Sequence, residues 1–131
     1  MADTLQTRVV TPERQVFAAA AERVVVPAHD GEVGILPGHA RFLASLGVGE
    51  LRITQGGKLL RFFLEGGFVQ VRENQVTVLC ENAVPLEAVD VGAAVAQAER
   101  ARTEGTPNAA ALARRAAVMR RVAERVSRPG R

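Results

Sequence analysis

From Leu5 to Leu79 apolar residues come in short runs, each cut off by glycine, proline or asparagine. Within several of them apolar and polar positions alternate, as in Leu51-Arg52-Ile53-Thr54 and Phe68-Val69-Gln70-Val71. Such alternation puts one face of a strand in a core and leaves the other wet. The runs Glu22 to Val26, Leu51 to Thr54, Leu59 to Leu64, Phe68 to Val71 and Val76 to Leu79 recur at roughly the 8–12-residue spacing of a sandwich or barrel. Gly56-Gly57 and Glu73-Asn74 supply tight turns between them. The pattern predicts an antiparallel β-sandwich, two sheets face to face, that closes before Pro85.

After Pro85 the composition shifts to alanine, arginine and glutamate, all strong helix formers. A first helix is predicted from Asp90, a good N-cap, to about Glu104. Gly105-Thr106-Pro107-Asn108 then provides a stop, a turn and a new cap, and a second helix runs to about Val126. Val91, Ala94, Val95, Ala98 and Ala101 form the apolar stripe of the first helix. Leu112, Ala116, Met119, Ala123 and Val126 form that of the second, with Arg114, Arg121, Arg125 and Arg128 opposite. Small side chains let the two helices lie close as an antiparallel hairpin but bury little area, so the hairpin is weakly held. The predicted organisation is therefore a β-sandwich domain over residues 1–85 and a helical hairpin over residues 86–131.

The length of 131 residues suits one small core with an appendage. Hydrophobic residues make up 47% of the chain, yet no apolar run approaches the ~20 residues of a membrane span. The opening Met1-Ala2-Asp3-Thr4-Leu5 lacks the basic-then-apolar pattern of a secretion signal, which predicts a cytoplasmic setting. The single cysteine, Cys80, has no partner for an internal disulfide and reads as a passive residue ending an apolar strand. With no Trp or Tyr and only five Phe, the chain is poor in stacking platforms for single-stranded nucleic acid. Charge is uneven. Residues 1–85 carry 8 Lys and Arg against 9 Asp and Glu, a net of −1, while residues 86–131 carry 9 against 5, a net of +4. The basic half points to an acidic or phosphate-rich surface as its partner.

The segment from Val26 to Ala40 packs three glycines, two prolines and two histidines into fifteen residues. Gly31, Gly34 and Gly38 open backbone angles closed to other residues, while Pro27 and Pro37 fix φ, so the segment reads as a shaped loop built for contact. His29 and His39, with Asp30 and Glu32 nearby, invite a metal or acid–base reading, but no third ligand cluster stands elsewhere, and contact is the better expectation. Gly31-x-x-Gly34-x-x-x-Gly38 lacks the Lys-Ser/Thr of a phosphate loop. Gly66-Gly67 fits a bulge or a close approach between strands. No Ser-His-Asp or Cys-His arrangement emerges, so the expected protein is non-catalytic, without metal or cofactor.

Gly31-Glu32-Val33-Gly34-Ile35-Leu36-Pro37-Gly38-His39-Ala40, Gly49-Glu50-Leu51-Arg52-Ile53, Gly66-Gly67-Phe68 and Val76-Thr77-Val78-Leu79 together closely resemble the motifs of the epsilon-subunit family of the bacterial F-type ATP synthase, in family order and spacing. One departure is Arg41, where the family usually has proline. The resemblance implies a rotor subunit in the central stalk: a sandwich bridging the gamma shaft to the membrane c-ring, and a C-terminal hairpin that restrains ATP hydrolysis. Carried over by position, it makes Glu32 and His39 the c-ring contacts. It gives Arg114, Arg121 and Arg125 a regulatory contact with an acidic segment of the catalytic beta subunits. It also implies a peripheral place on the cytoplasmic face of the bacterial inner membrane.

Some family members bind ATP through an Ile/Leu-Asp-x-x-Arg-Ala motif. The matching Val89-Asp90-Val91-Gly92-Ala93-Ala94 keeps the aspartate at Asp90 but has Ala93 in place of the arginine. No nucleotide binding is therefore expected, since alanine replaces forked, permanently charged donors. The alternative function is a nucleic-acid-binding β-module with a basic helical tail, which the slightly acidic sandwich disfavours.

Overall fold

The computed structural model describes residues 4–126, and side chains as far as residue 124. Two compact units divide the chain, Met1–Pro85 and Leu86–Arg131. The first holds seven strands: β1 (Leu5–Val10), β2 (Gln15–Ala21), β3 (Arg23–Ala28), β4 (Gly31–Ile35), β5 (Phe42–Gln55), β6 (Lys58–Arg72) and β7 (Gln75–Pro85). They form one continuous sheet in the order β2-β1-β7-β6-β5-β3-β4. That sheet folds over on itself: β2 approaches β5, and Phe17 of β2 meets Phe62 of β6 edge-on at 6.5 Å. Leu5, Val9, Val76 and Val78 of one half thereby share a single core with Val24, Leu51 and Ile53 of the other.

The fold-over follows from two long strands that change which face they bury. Along β5, Leu46 is buried and then Leu51 and Ile53, an odd interval that moves the inward face from even to odd positions. Along β6 the change falls between Leu64 and Val69. Glycines occupy both reversals: Gly47 and Gly49 in β5, Gly66 and Gly67 in β6, the last two at φ 60 and 119. Glycine inside a strand marks such a bend or a close backbone approach. At Gly67 it is a close approach, because a Cβ there would strike the backbone carbonyl of Leu79.

Three features differ from the sequence reading. Leu59 to Leu64 and Phe68 to Val71 belong to the single bent strand β6, because the ladder with β7 runs in one register across Gly66-Gly67. β1 and β7 pair in parallel while all other neighbours are antiparallel. The segment read as a contact loop is largely strand: residues 26–28 end β3, His29-Asp30 make a turn, and β4 pairs back with Val26 opposite Val33. Gly56-Gly57 (φ 57 and 82) and Glu73-Asn74 (φ 50 and 61) are the hairpin turns predicted, with both central residues left-handed.

In the second unit α1 spans Val91–Glu104 and α2 Ala109–Val126, packed on each other. Asp90 caps α1, its Oδ1 accepting from Ala93 N–H at 2.9 Å. Gly105 closes it at φ 68, its N–H donating to Arg102 O at 3.2 Å, while Thr106 N–H donates to Ala101 O at 3.1 Å. Ala94, Ala98 and Ala101 are buried on α1, and Ala116, Met119 and Val122 on α2. Val122 thus takes the place that spacing assigned to Ala123, which is half-buried.

Candidate functional site

Glu32 stands on β4, an edge strand of the sheet. Its carboxylate accepts from both ends of the Arg52 guanidinium, Nη1 to Oε2 at 2.9 Å and Nη2 to Oε1 at 3.0 Å. The reach is set by register, since Val25 of β3 lies opposite Gly34 on one side and Arg52 on the other. Arg52 also donates to Glu50 Oε1 at 2.8 Å, and Arg61 donates to Glu50 Oε2 at 3.0 Å. Glu50 is almost wholly buried, with 1% of its side chain exposed.

This chain of charges has a physical reason. Arg52 and Arg61 lie directly opposite each other on β5 and β6, a like-charge pairing that is destabilising by itself. Glu50, two residues before Arg52 on the same strand face, accepts from both and removes the conflict. A buried carboxylate is tolerated only when its oxygens are matched, and here each meets a guanidinium. The hydrogen bonds to Glu32, partly opposed by burial, hold the Arg52 guanidinium above its ordinary range, with Glu50 adding to the effect. Sequence reasoning selected Glu32 but passed over Glu50, Arg52 and Arg61. A Glu-x-Arg spacing puts Glu50 and Arg52 on one face of a strand, but Arg61 becomes visible only with the β5–β6 register.

His39 lies in the turn between β4 and β5, where its N–H donates to Leu36 O at 3.0 Å. Its Nδ1 sits 2.7 Å from the Ala40 carbonyl, and its ring meets Phe42 edge-on at 5.6 Å. The same turn is tied to the β6–β7 hairpin: Gly38 N–H donates to Asn74 Oδ1 at 2.7 Å, and Arg41 faces Glu73 at 3.6 Å. Arg41 thus takes part in a surface ion pair. His29 belongs to the β3–β4 turn, held by its N–H to Ser45 O at 3.0 Å. Glu32 is thus anchored toward β5 and β6, while the turn that carries His39 is tied through its neighbours Gly38 and Arg41 to the β6–β7 turn. Among the described residues no group of three or more His, Cys, Asp or Glu gathers in a metal-binding arrangement.

A second surface is apolar. Leu79 of β7 pairs with Val10 of β1 and with Phe68 of β6, which pairs in turn with Ser45 of β5. Phe68 is 57% exposed, Leu79 51% and neighbouring Leu43 70%. Large apolar side chains gathered in one open patch mark an interaction surface. Cys80, facing the other way, donates weakly to Val10 O, and burial, with Glu81 nearby, pushes its thiol up to about 11.

On the helical unit, Arg114 and Arg121 are exposed on α2. Arg125 belongs to α2, but its side chain, like all of Arg128, lies outside the described residues. Asp90 and Ala93 meet through the helix cap, and Ala93 is exposed. No described helix is long and apolar enough to cross a membrane.

Residues 4–86 match the family described as ATP synthase, Delta/Epsilon chain, beta-sandwich domain. The ATP synthase epsilon chain of Desulfitobacterium hafniense is 45% identical over 125 residues, covering 94% of this chain and 95% of that one. That of Carboxydothermus hydrogenoformans is 46% identical over 102 residues, covering 78% and 76%. A chain in the cryo-EM structure of Euglena gracilis mitochondrial ATP synthase, comprising OSCP, F1 and c-ring, shares the fold with a TM-score of 0.72 at 22% identity, over 97% of this chain and 81% of that one.

Proposed function

The chain belongs to the family of ATP synthase epsilon chains, and we propose that it is a non-catalytic central-stalk subunit coupling a membrane c-ring to a gamma shaft. The observation that carries this reading is that the likeness to epsilon chains runs along nearly the whole chain, helices included. The physical properties of the sandwich support it. Torque needs a stiff body, and a sheet folded onto one packed core is stiff because close-packed interiors transmit strain. A body that passes torque also needs two surfaces. The open apolar patch of Leu43, Phe68 and Leu79 suits a lasting contact with a shaft subunit, and the exposed Glu32 and the half-buried His39 suit the polar loops of a ring.

In this reading the helical hairpin restrains ATP hydrolysis. Arg114 and Arg121, with Arg125 beside them in sequence, present permanent positive charge to acidic segments of the catalytic beta subunits. The subunit works peripherally on the cytoplasmic face of the bacterial inner membrane. The test is reconstitution of the synthase in proteoliposomes with and without this chain. With it, ATP hydrolysis drives ion uptake; without it, hydrolysis continues and uptake collapses. Equal uptake in both preparations overturns the reading.

A further inference from the structure

We infer that Arg52 is a positioning residue that presents Glu32, on the edge strand β4, to a loop of the ring, with Glu50 and Arg61 as its anchor. The inference rests on the reading that Glu32 faces the ring. A glutamate on an edge strand ordinarily sweeps a wide volume, and ordering it on binding costs side-chain entropy. Here the fork of Arg52 fixes the plane of the carboxylate through two parallel bonds, which adds geometric specificity to charge.

The guanidinium is itself fixed. Its Nη1 is shared with Glu50, whose other oxygen holds Arg61, so charges of alternating sign run from the edge strand through β5 to β6. Exposure falls along the same path, from 43% for the Glu32 side chain to 22% for Arg52 and 1% for Glu50. The outer member is accessible to a partner while the inner ones are rooted in the fold. A Glu32 held in this way meets a hydrogen-bond donor, such as a lysine, an arginine or a backbone N–H of a ring loop, without first giving up rotamer freedom.

The test is a double-mutant cycle in the assembled synthase, read as ions pumped per ATP hydrolysed, with melting of the full chain followed in parallel. Glu32→Gln and Arg52→Gln are each expected to lower the pumping ratio about twofold to fivefold, the range of a partly exposed pair, and the double variant no further than either alone. Additive losses, or a full ratio in Arg52→Gln while Glu32→Gln is impaired, overturn the inference and leave the ring contact standing. A full ratio in Glu32→Gln overturns the ring contact itself. If Arg52→Gln fails to assemble, Arg52→Lys replaces it in the cycle. It keeps the charge and loses the fork, and a ratio equal to that of the unsubstituted chain would count against positioning.

Discussion

Gly67 lies so close to Leu79 that its neighbour's carbonyl oxygen occupies the place a Cβ would take. Gly67 also sits at φ 119, outside the region L side chains adopt readily. The bend of β6 therefore depends on the absence of a side chain. Gly67→Ala is expected to destabilise the chain by more than about 2 kcal/mol, since strain and a backbone clash add. Gly56, at φ 57 with open space around its Cβ position, provides the contrast. Gly56→Ala should cost only about 1–2 kcal/mol, the ordinary penalty for a left-handed alanine. Urea unfolding of the two variants checks both figures, and equal losses would contradict the account of the bend.

Glu50 is a second point of dependence. Glu50→Ala leaves Arg52 and Arg61 opposed across β5 and β6 with no acceptor between them. The expected loss is about 2–4 kcal/mol, below the full cost of breaking a buried pair because both arginines reach water. A chemical melt measures it. Salt should recover part of the loss, since two like charges that reach water are screened, and a variant as stable as the unsubstituted chain would show the charge chain to be dispensable.

How much of this was readable beforehand follows from where each signal resides. The helices were legible because their ends are local: Asp90 caps from three residues away, and Gly105 stops α1 by its own backbone angle. The turns at Gly56-Gly57 and Glu73-Asn74 were legible for the same reason. The bend of β5 was not, because Leu46 to Leu51 breaks the alternation on which strand recognition relies, whereas Gly66-Gly67 signalled the close approach in β6. Strand β2, with four alanines in seven residues, has no β signature and exists by pairing with β1. Glu32 was found through its motif. Its partner Arg52 is twenty residues on, and only the sheet order brings them together.

The arginines of α2 carry the regulatory proposal. Arg114→Ala, Arg121→Ala and Arg125→Ala combined should raise the ATP hydrolysis rate of the assembled complex while leaving assembly intact. Exposed pairs contribute only about 0–1 kcal/mol each, so the triple variant is the informative one. Unchanged hydrolysis at low and high salt would reduce these arginines to a solvated face.

ATP should not bind the isolated chain at micromolar concentration. Asp90 already accepts from Ala93 N–H as the cap of α1, and Ala93 supplies no charged donor. Losing one charge-assisted hydrogen bond of about 1.5–3 kcal/mol lowers affinity at least about tenfold. Calorimetry reads the outcome directly. Micromolar binding would require a substitute cation, and Arg100, exposed on α1, is the first to replace by alanine.

The central claim is that this chain joins a shaft to a ring, and its most direct measurement is affinity capture of the tagged full chain from detergent-solubilised membranes, with the bound subunits identified and counted. A gamma subunit and a c-ring should elute with it in fixed ratio. Phe68→Asp combined with Leu79→Asp should sharply reduce gamma recovery, because two carboxylates would be driven into an apolar contact. A chain that elutes alone, or with nucleic acid in a salt-dependent manner, would contradict the claim.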